Sequence, residues 1–357
     1  MRSCWRRWVR RGMLEPVTPA ASALRPVPRP VASSLDELLA GVTERTPMLH
    51  SDSKSGVGFE RVVIDGVPHV LKHVHIDDDW TMRSFAETTC IPLEVWRTGM
   101  IDVLPERIDH TIAGVAGGLG RDGLGAALLM RDAGAELLPP GDDPVPLEQH
   151  RQLLDDMAAL AARTWGWPGH PALLPYGNRW LPFGEAAMAD EAARGFPDEV
   201  PRIAADGWER FAERAPKQGR DTVLTLRREL TPLVDALEST PTSFLHGDWK
   251  MGNLGIGRDG RSVLVDWTYC GPGPVCHELG WYLALNQARL PESKEATISV
   301  LREALERHGV DTAPWWERQL RLCLLGTLVQ FGWEKALGDE AELGWWCDRA
   351  TEGAALL

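Results

Sequence analysis

The sequence has no long hydrophobic run and no CxxC pair of cysteines. Its six cysteines are scattered singly along 357 residues, and no group of Cys and His residues has the spacing of a zinc site. No window is long and apolar enough for a membrane-spanning helix. Scattered thiols in a chain of this size are typical of the reducing cytoplasm. We therefore predict a cytoplasmic protein without a membrane partner.

Positive charge is also scarce. The chain has 38 Lys and Arg against 51 Asp and Glu, which gives a formal net charge of −13. Such a surface repels phosphate backbones, which argues against general nucleic-acid binding. The acidic excess suits a cationic substrate, or it serves only to keep the protein soluble.

The composition divides the chain into three parts. Residues 1–33 combine arginines with five prolines and are predicted to be a disordered tail. Residues 34–132 read as short strands with one or two helices, including a hairpin at Asp65-Gly66. Residues 133–357 have helical periodicity, apart from a β-like patch at 254–267. A small mixed lobe followed by a larger helical lobe is the α+β pattern.

Two local patterns in the strand-rich part bear on binding. The string Gly118-x-Gly120-x-x-Gly123 matches the dinucleotide fingerprint by letter, but the strand GAALLM follows it where a helix would be needed. We interpret it as a hairpin turn. Further upstream, Asp77, Asp78 and Asp79 offer N-caps to a helix predicted to run from about Trp80 to Cys90.

The strongest functional signal is the segment SFLHGDWKMGNLGIGRDGRSVLVDW, residues 243–267. Phosphoryl transfer needs a carboxylate to accept the hydrogen bond of the attacking hydroxyl, oxygen ligands for Mg²⁺, and a cation near the transferred group. Asp248 fits the base, Asn253 and Asp266 fit the metal ligands, and Lys250 fits the cation. These elements occur in the order and spacing that the chemistry requires.

This segment resembles the catalytic loop and metal-binding strand of the aminoglycoside phosphotransferase and choline kinase families. It is also similar to the HRDLxxxN and DFG elements of protein kinases. The resemblance implies a two-lobed, protein-kinase-like fold with a small β-rich N-lobe (34–132) that binds ATP and a larger helical C-lobe (133–357). It also implies that Asp248 is the catalytic base and that Mg²⁺ is held by Asn253 and Asp266.

The function implied is ATP-dependent phosphorylation of a hydroxyl group on a small molecule, namely an aminoglycoside, a sugar or an amino alcohol. No APE-like segment follows Asp266, which argues against a protein kinase. The alternative is a catalytically silent, kinase-like nucleotide-binding protein. The complete set of Lys72, Asp248, Asn253 and Asp266 argues against that alternative. The acceptor and the oligomeric state stay open.

The resemblance extends to the nucleotide site. Lys72, in the strand HVLKHV, resembles the lysine that pairs with the α- and β-phosphates. Its glutamate partner is predicted to be Glu87, with Glu94 as the alternative. The phosphate-covering loop is expected at 51–59, and the residues predicted to contact the nucleotide there and at the inter-lobe hinge are Ser53, Ser55, Gly56, Met130 and Asp132.

One residue departs from the family pattern. Where the family usually has an aspartate that braces the catalytic loop, this sequence has Glu278, in CGPGPVCHELGW. We expect Glu278 to take over that structural role.

Overall fold

The N-terminal part of the protein is built on a five-stranded antiparallel sheet with the strand order β1-β2-β3-β6-β5. The computed structural model describes residues 24–48, 58–87, 89–120 and 123–357. In chain order the elements of this part are α1 (Leu35–Leu38), β1 (Val42–Met48), β2 (Phe59–Ile64), β3 (Val67–His75), α2 (Trp80–Ser84), α3 (Ile91–Arg97), β4 (Ile108–Asp109), β5 (Ile112–Leu119) and β6 (Gly125–Arg131).

Two tight hairpins shape this sheet. Asp65 and Gly66 join β2 to β3 with φ angles of 50° and 78°, the left-handed conformation that two-residue hairpins need. Gly118, near the end of β5, also has positive φ, as do Gly120 and Gly123 in the connection between β5 and β6. Both predicted turns are therefore confirmed, and the glycine-rich string is followed by a strand.

The predicted helix from Trp80 to Cys90 is wrong in its extent. α2 begins with Asp79 as its N-cap, since the Asp79 carboxylate accepts a hydrogen bond from the Thr81 N–H at 2.8 Å, but it ends at Ser84. Ala86 adopts a positive φ of 52°, which no α-helix accommodates. A second helix, α3, then begins at Ile91 with Pro92 in its first turn. Glu87 consequently lies in the connection between two helices.

Residues 24–33, which belong to the predicted tail, lie against the sheet and α3, whereas residues 1–23 lie outside the described residues. Arg29 donates its Nε to Asp102 at 2.8 Å, and the indole N–H of Trp96 donates to the carbonyl of Pro30 at 2.8 Å. Ala32 forms a parallel bridge with Ala116 of β5. The prolines in this stretch suit an extended segment that packs on a surface.

The C-terminal part is mainly helical, with short strands in and near residues 243–267, the predicted catalytic segment. Its elements are α4 (Leu147–Arg163), α5 (Glu185–Ala193), α6 (Glu199–Arg214), α7 (Lys217–Leu226), α8 (Thr231–Glu238), β7 (Ser243–Leu245), β8 (Leu254–Ile256), β9 (Ser262–Leu264), β10 (Gly271–Gly273), α9 (Val275–Leu285), α10 (Lys294–Arg307), α11 (Trp316–Leu337) and α12 (Glu340–Ala354). A β-rich N-terminal sheet with a larger helical region confirms the α+β fold class.

The strands of the C-terminal part position the catalytic segment. β8 and β9 form an antiparallel hairpin, and β9 also pairs in parallel with β4 of the N-terminal part. β7 pairs with β10, so the chain just before His246-Gly247-Asp248 is hydrogen-bonded to the chain after Asp266. The predicted lobe boundary at 132 and 133 falls between β6 and α4, and its assignment to separate functional lobes stays a prediction. Within the described residues, no helix combines the length and hydropathy needed to cross a bilayer.

Candidate active site

Asp248 lies at the centre of the catalytic segment and is almost completely buried. Gly247, with a φ of 86°, turns the chain after β7, and a Cβ at this glycine would clash with the Tyr269 carbonyl oxygen. Asn253 donates its Nδ2 to Asp248 Oδ2 at 2.7 Å, and Lys250 Nζ lies 2.9 Å from the same oxygen. The predicted base, cation and one predicted metal ligand therefore form one cluster.

Lys72 brings the N-terminal sheet to this cluster. It lies on β3, the central strand, and its Nζ donates to Asp266 Oδ1 at 2.9 Å. Thr268 donates its hydroxyl to the same oxygen at 2.7 Å. Burial acts to raise the pKa of Asp266, but the ammonium groups of Lys72 and Lys250 outweigh it and hold that pKa below its usual value. Asp266 is therefore ionised in the native protein.

His246 organises the loop from within the core. Its ring accepts a hydrogen bond from the Asp248 N–H at Nδ1 over 3.2 Å, and the other nitrogen, Nε2, lies 3.1 Å from the Val265 carbonyl oxygen. Burial lowers the pKa of His246 to about 4. A neutral ring with its proton on Nε2 fits both contacts, so His246 links the two loops and carries no charge near pH 7.

Glu278 braces the catalytic loop as expected of the residue at its position. It lies on α9, is buried, and accepts the Gly247 N–H with its two oxygens at 2.9 and 3.1 Å. Burial raises the pKa of Glu278 to about 7. The longer side chain thus performs the bracing contact that the family gives to an aspartate.

The raised pKa of Glu278 predicts a pH-dependent stability. The native state keeps a proton that the unfolded state releases above its ordinary pKa of 4.5, so the free energy of unfolding falls as pH rises from about 4.5 to 7. The slope that this group contributes is at most about 1.4 kcal/mol per pH unit. Glu278→Gln removes the titrating proton and keeps a hydrogen-bond acceptor. The free energy of unfolding, measured with urea at pH 5 and pH 8, should therefore change less with pH in the variant than in wild type. Parallel curves for variant and wild type would contradict the prediction.

Neither of the glutamates considered for Lys72 pairs with it in the described residues. Glu87 has a buried Oε1 without a hydrogen-bond partner, and its other oxygen lies 3.5 Å from the Ile91 N–H. Burial raises the pKa of Glu87 well above its usual value. Glu94 forms an ion pair with Arg97 at 2.6 Å. The turn at Ala86 directs Glu87 away from the course of a continuous helix, and the ion-pair partner of Lys72 is Asp266.

The remaining predicted nucleotide contacts fall in two groups. Ser53, Ser55 and Gly56 lie outside the described residues. Met130 is near the end of β6, paired with Val70 and Ile112, and Asp132 follows that strand with Oδ1 accepting the Gly134 N–H at 3.1 Å. Their contact with a nucleotide stays a prediction.

A family comparison agrees with this geometry. The model of the phosphotransferase enzyme family (APH) matches residues 103–312, more than half of the chain. The chain belongs to this phosphotransferase family. The prediction of an aminoglycoside phosphotransferase relative, and of a phosphotransferase enzyme, is thereby confirmed. No curated protein matches the sequence.

Solved structures of similar fold were also found for this phosphotransferase. One is a thermostable mutant of aminoglycoside phosphotransferase APH(4)-Ia in its apo form, with 14% identity, coverage of 90% of this chain and 98% of that chain, and a TM-score of 0.44. Choline kinase LicA from Streptococcus pneumoniae has 10% identity, coverage of 90% and 95%, and a TM-score of 0.43. APH(3'')-Id from Streptomyces rimosus, in complex with ADP and streptomycin, has 17% identity, coverage of 78% and 94%, and a TM-score of 0.43.

Two residues that the sequence analysis does not single out contact the catalytic loop of the phosphotransferase. One is Trp281 on α9, and the other is Asn286, which caps the C-terminus of that helix. The indole N–H of Trp281 donates to Asp248 Oδ1 at 2.8 Å. Asn286 accepts the Met251 N–H at 2.7 Å. The signal for Trp281 was available in the sequence, because it follows Glu278 by three positions, and residues three apart share a face of a helix.

Asn253 and Asp266 supply the donor chemistry that a magnesium ion requires. The Asn253 Nδ2 donates hydrogen bonds to Asp248. These bonds fix the orientation of the amide and leave its Oδ1 to act as a metal ligand. Within the described residues, no group of three or more His, Cys, Asp or Glu has a metal-binding arrangement. Two oxygen ligands from the protein, completed by phosphates and water, are how Mg²⁺ is usually held in phosphoryl-transfer enzymes.

A cavity of about 590 Å³ lies between α2 and the C-terminal helices. Ser84 and Ala86 line one side of it and Asn178 and Arg227 another. Within the described part of the chain, neither Asp248 nor Asp266 is among its lining residues. The cavity is therefore distinct from the site around Asp248 and Asp266.

Proposed function

We propose that this phosphotransferase transfers the γ-phosphoryl group of ATP to a hydroxyl of a small molecule, with Asp248 as the catalytic base. The observation that carries the proposal is that two groups of side chains, Lys72 with Asp266 and Asp248 with Lys250 and Asn253, lie on adjoining loops. The loops are joined beside Asp266, where the Val265 N–H donates to the Asn253 carbonyl at 3.0 Å. Charge stabilisation and alignment are the main demands of phosphoryl transfer, and this set meets both.

Asp248 would receive the proton of the acceptor. The acceptor hydroxyl donates a hydrogen bond to the carboxylate, its oxygen forms a bond to the γ-phosphorus, and the bond from that phosphorus to the leaving oxygen of ADP breaks. The proton of the hydroxyl moves to Asp248. Lys250, now 2.9 Å from Asp248, has a flexible stem and would contact the transferred phosphoryl group, where its charge is most useful.

Lys72 would bind the nucleotide by exchanging one anionic partner for another. In the structure its ammonium pairs with Asp266, and the Asp266 side chain is 32% exposed whereas that of Lys72 is 8% exposed. The phosphates of ATP offer the lysine a stronger anion, and their arrival leaves the Asp266 carboxylate for a metal ion. The same displacement would place Asn253 and Asp266 as the two protein ligands of Mg²⁺, which neutralises phosphate charge when bound.

The chain after Asp266 supports a small acceptor. β10 follows within a few residues and is paired with β7, and α9 begins at Val275. Protein kinases use a long segment between these points to bind peptide. Here that space is occupied by a short, buried strand, so sugars, aminoglycosides and amino alcohols are the acceptors we propose.

The cysteines fit a reducing compartment. The five cysteines in the described part of the chain are free and buried: Cys90, Cys270, Cys276, Cys323 and Cys347. Free buried thiols persist where glutathione and thioredoxin keep proteins reduced. We propose a cytoplasmic location on this ground.

The proposal is tested with the full chain, Mg²⁺ and ATP labelled on the γ-phosphate, against a panel of sugars, aminoglycosides, amino alcohols and one generic peptide. We expect a phosphorylated product with at least one alcohol and none after chelation of the metal. The matched control for each active alcohol is its deoxy or O-methyl analogue, which cannot accept phosphate at that oxygen. Label only in the peptide, or nucleotide binding without transfer to any alcohol, would overturn the proposal.

A further inference from the structure

The two oxygens of the Asp248 carboxylate have different kinds of partner. Oδ1 accepts the Trp281 indole N–H at 2.8 Å. Oδ2 accepts the Asn253 amide at 2.7 Å and lies 2.9 Å from Lys250 Nζ. An acceptor hydroxyl must reach one of these oxygens, and the partners determine which one becomes available.

Trp281 is fixed in place. It is 6% exposed, and its ring lies 4.8 Å from Phe331 and 5.6 Å from Tyr269, measured between centroids. One turn earlier on α9, Glu278 holds the Gly247 N–H. The indole N–H is a donor only, so the bond to Oδ1 has a single direction and persists as long as the helix holds its place.

Under the proposed function, the two partners of Oδ2 also contact other groups: Lys250 the phosphoryl group and Asn253 the metal ion. The Lys250 side chain is 38% exposed and can swing on its four-carbon stem. Asn253 can hold a metal ion with its Oδ1 while its Nδ2 still donates to Asp248 Oδ2. When Lys250 moves to the phosphoryl group, Oδ2 therefore keeps the Asn253 amide but loses the Lys250 ammonium, which opens a place for the acceptor hydroxyl, and Oδ1 keeps the Trp281 N–H.

We propose that Trp281 is a positioning residue that holds Asp248 Oδ1, so that Oδ2 is the oxygen that takes the proton from the acceptor hydroxyl. In that step the O–H bond of the acceptor breaks, a new O–H bond forms at Oδ2, and the acceptor oxygen replaces the ADP oxygen on the γ-phosphorus. This inference rests on the proposed role of Asp248. α9 would thus set both the backbone of the catalytic loop, through Glu278, and the orientation of its carboxylate.

The test compares Trp281→Phe with the matched control Trp346→Phe. Trp346 is fully buried and its indole N–H also donates to a carboxylate, Glu342 Oε1 at 2.7 Å, but on α12. We expect Trp281→Phe to lower kcat about 10- to 100-fold, because the loss of a hydrogen bond to a charged group lets the base leave its productive position. The KM for ATP should stay within about twofold of wild type, since the nucleotide contacts are elsewhere. Trp346→Phe should lower thermal stability with kcat unchanged.

A second variant separates positioning from packing. Trp281→His places a ring N–H at a similar distance from the backbone but fills less space, so it should be less stable than Trp281→Phe and yet keep the higher kcat. A purely structural role predicts the opposite order. If Trp281→Phe keeps kcat within twofold of wild type, or His falls below Phe, while Asp248→Asn is inactive, the inference about Trp281 fails alone. Activity retained in Asp248→Asn would instead defeat the proposed function.

Discussion

Replacing Asp248 with asparagine is expected to lower kcat by about 10²- to 10⁴-fold, the usual contribution of a general base. The amide oxygen can still accept the Trp281 N–H, but the side chain no longer takes a proton. The Asn253 amide and Lys250, both within 2.9 Å of Oδ2, would face a neutral group. Nucleotide affinity should change little, because Lys72 does not contact this residue in the structure.

The measurement is kcat and KM for ATP with the best acceptor, beside nucleotide binding measured directly. Asp155→Asn is the matched control: its carboxylate is also tied to basic residues, Arg107 at 2.7 Å and Arg307 at 3.1 Å, but on α4. That control should lose some stability and keep kcat. An Asp248→Asn enzyme with at least a tenth of the wild-type kcat would refute the base assignment.

Replacing Asp266 with asparagine is expected to lower kcat by about 10²- to 10³-fold and to raise the Mg²⁺ concentration needed for half-maximal activity. The backbone should tolerate the change. Asp266 has a φ of 67°, and asparagine is among the few residues that adopt this conformation readily. The substitution removes the negative charge of the Asp266 carboxylate, which Lys72 and Lys250 stabilise in wild type by lowering its pKa.

A magnesium titration distinguishes this loss from general damage. Asp259→Asn is a suitable control, because Asp259 lies in the turn of the same β8–β9 hairpin and pairs with Arg261 at 2.7 Å, with its side chain 53% exposed. Its Mg²⁺ dependence should match wild type. The metal assignment of Asp266 is untenable if Asp266→Asn reduces kcat but leaves the Mg²⁺ dependence unchanged.

The features that the sequence predicts correctly are those that neighbouring residues determine. The Asp65-Gly66 turn and the aspartate cap of α2, which the structure assigns to Asp79, each depend on a few adjacent positions. Lys250 and Asn253 are also close to Asp248 in sequence, and the structure brings both side chains to its carboxylate, while their catalytic roles stay a prediction. Such local signals give an element and its approximate position.

The errors concern contacts between distant parts of the chain. Helix-forming residues run through Ala86, and no glycine there signals the positive φ that ends α2 early. The sequence therefore predicts a continuous helix that carries Glu87 toward Lys72. The actual partner of Lys72 is 194 positions away, and tertiary packing alone decides such a pair. Trp281 is intermediate, since a helical face shared with Glu278 predicts that it meets the catalytic loop but not which atom it binds.

Both edges of the N-terminal sheet, at β1 and β5, are protected against pairing with a strand of another molecule. Beside β5, the Ala32 N–H donates to Val115 O at 2.9 Å, and the Ala32 carbonyl accepts the Gly117 N–H at 3.3 Å. At the other end, β1 carries Glu44, Arg45 and Pro47 in an exposed row. Charged side chains and proline on an edge strand discourage pairing between molecules. Intermolecular β-sheet extension, a common route to aggregation, is thus obstructed at either edge of this sheet.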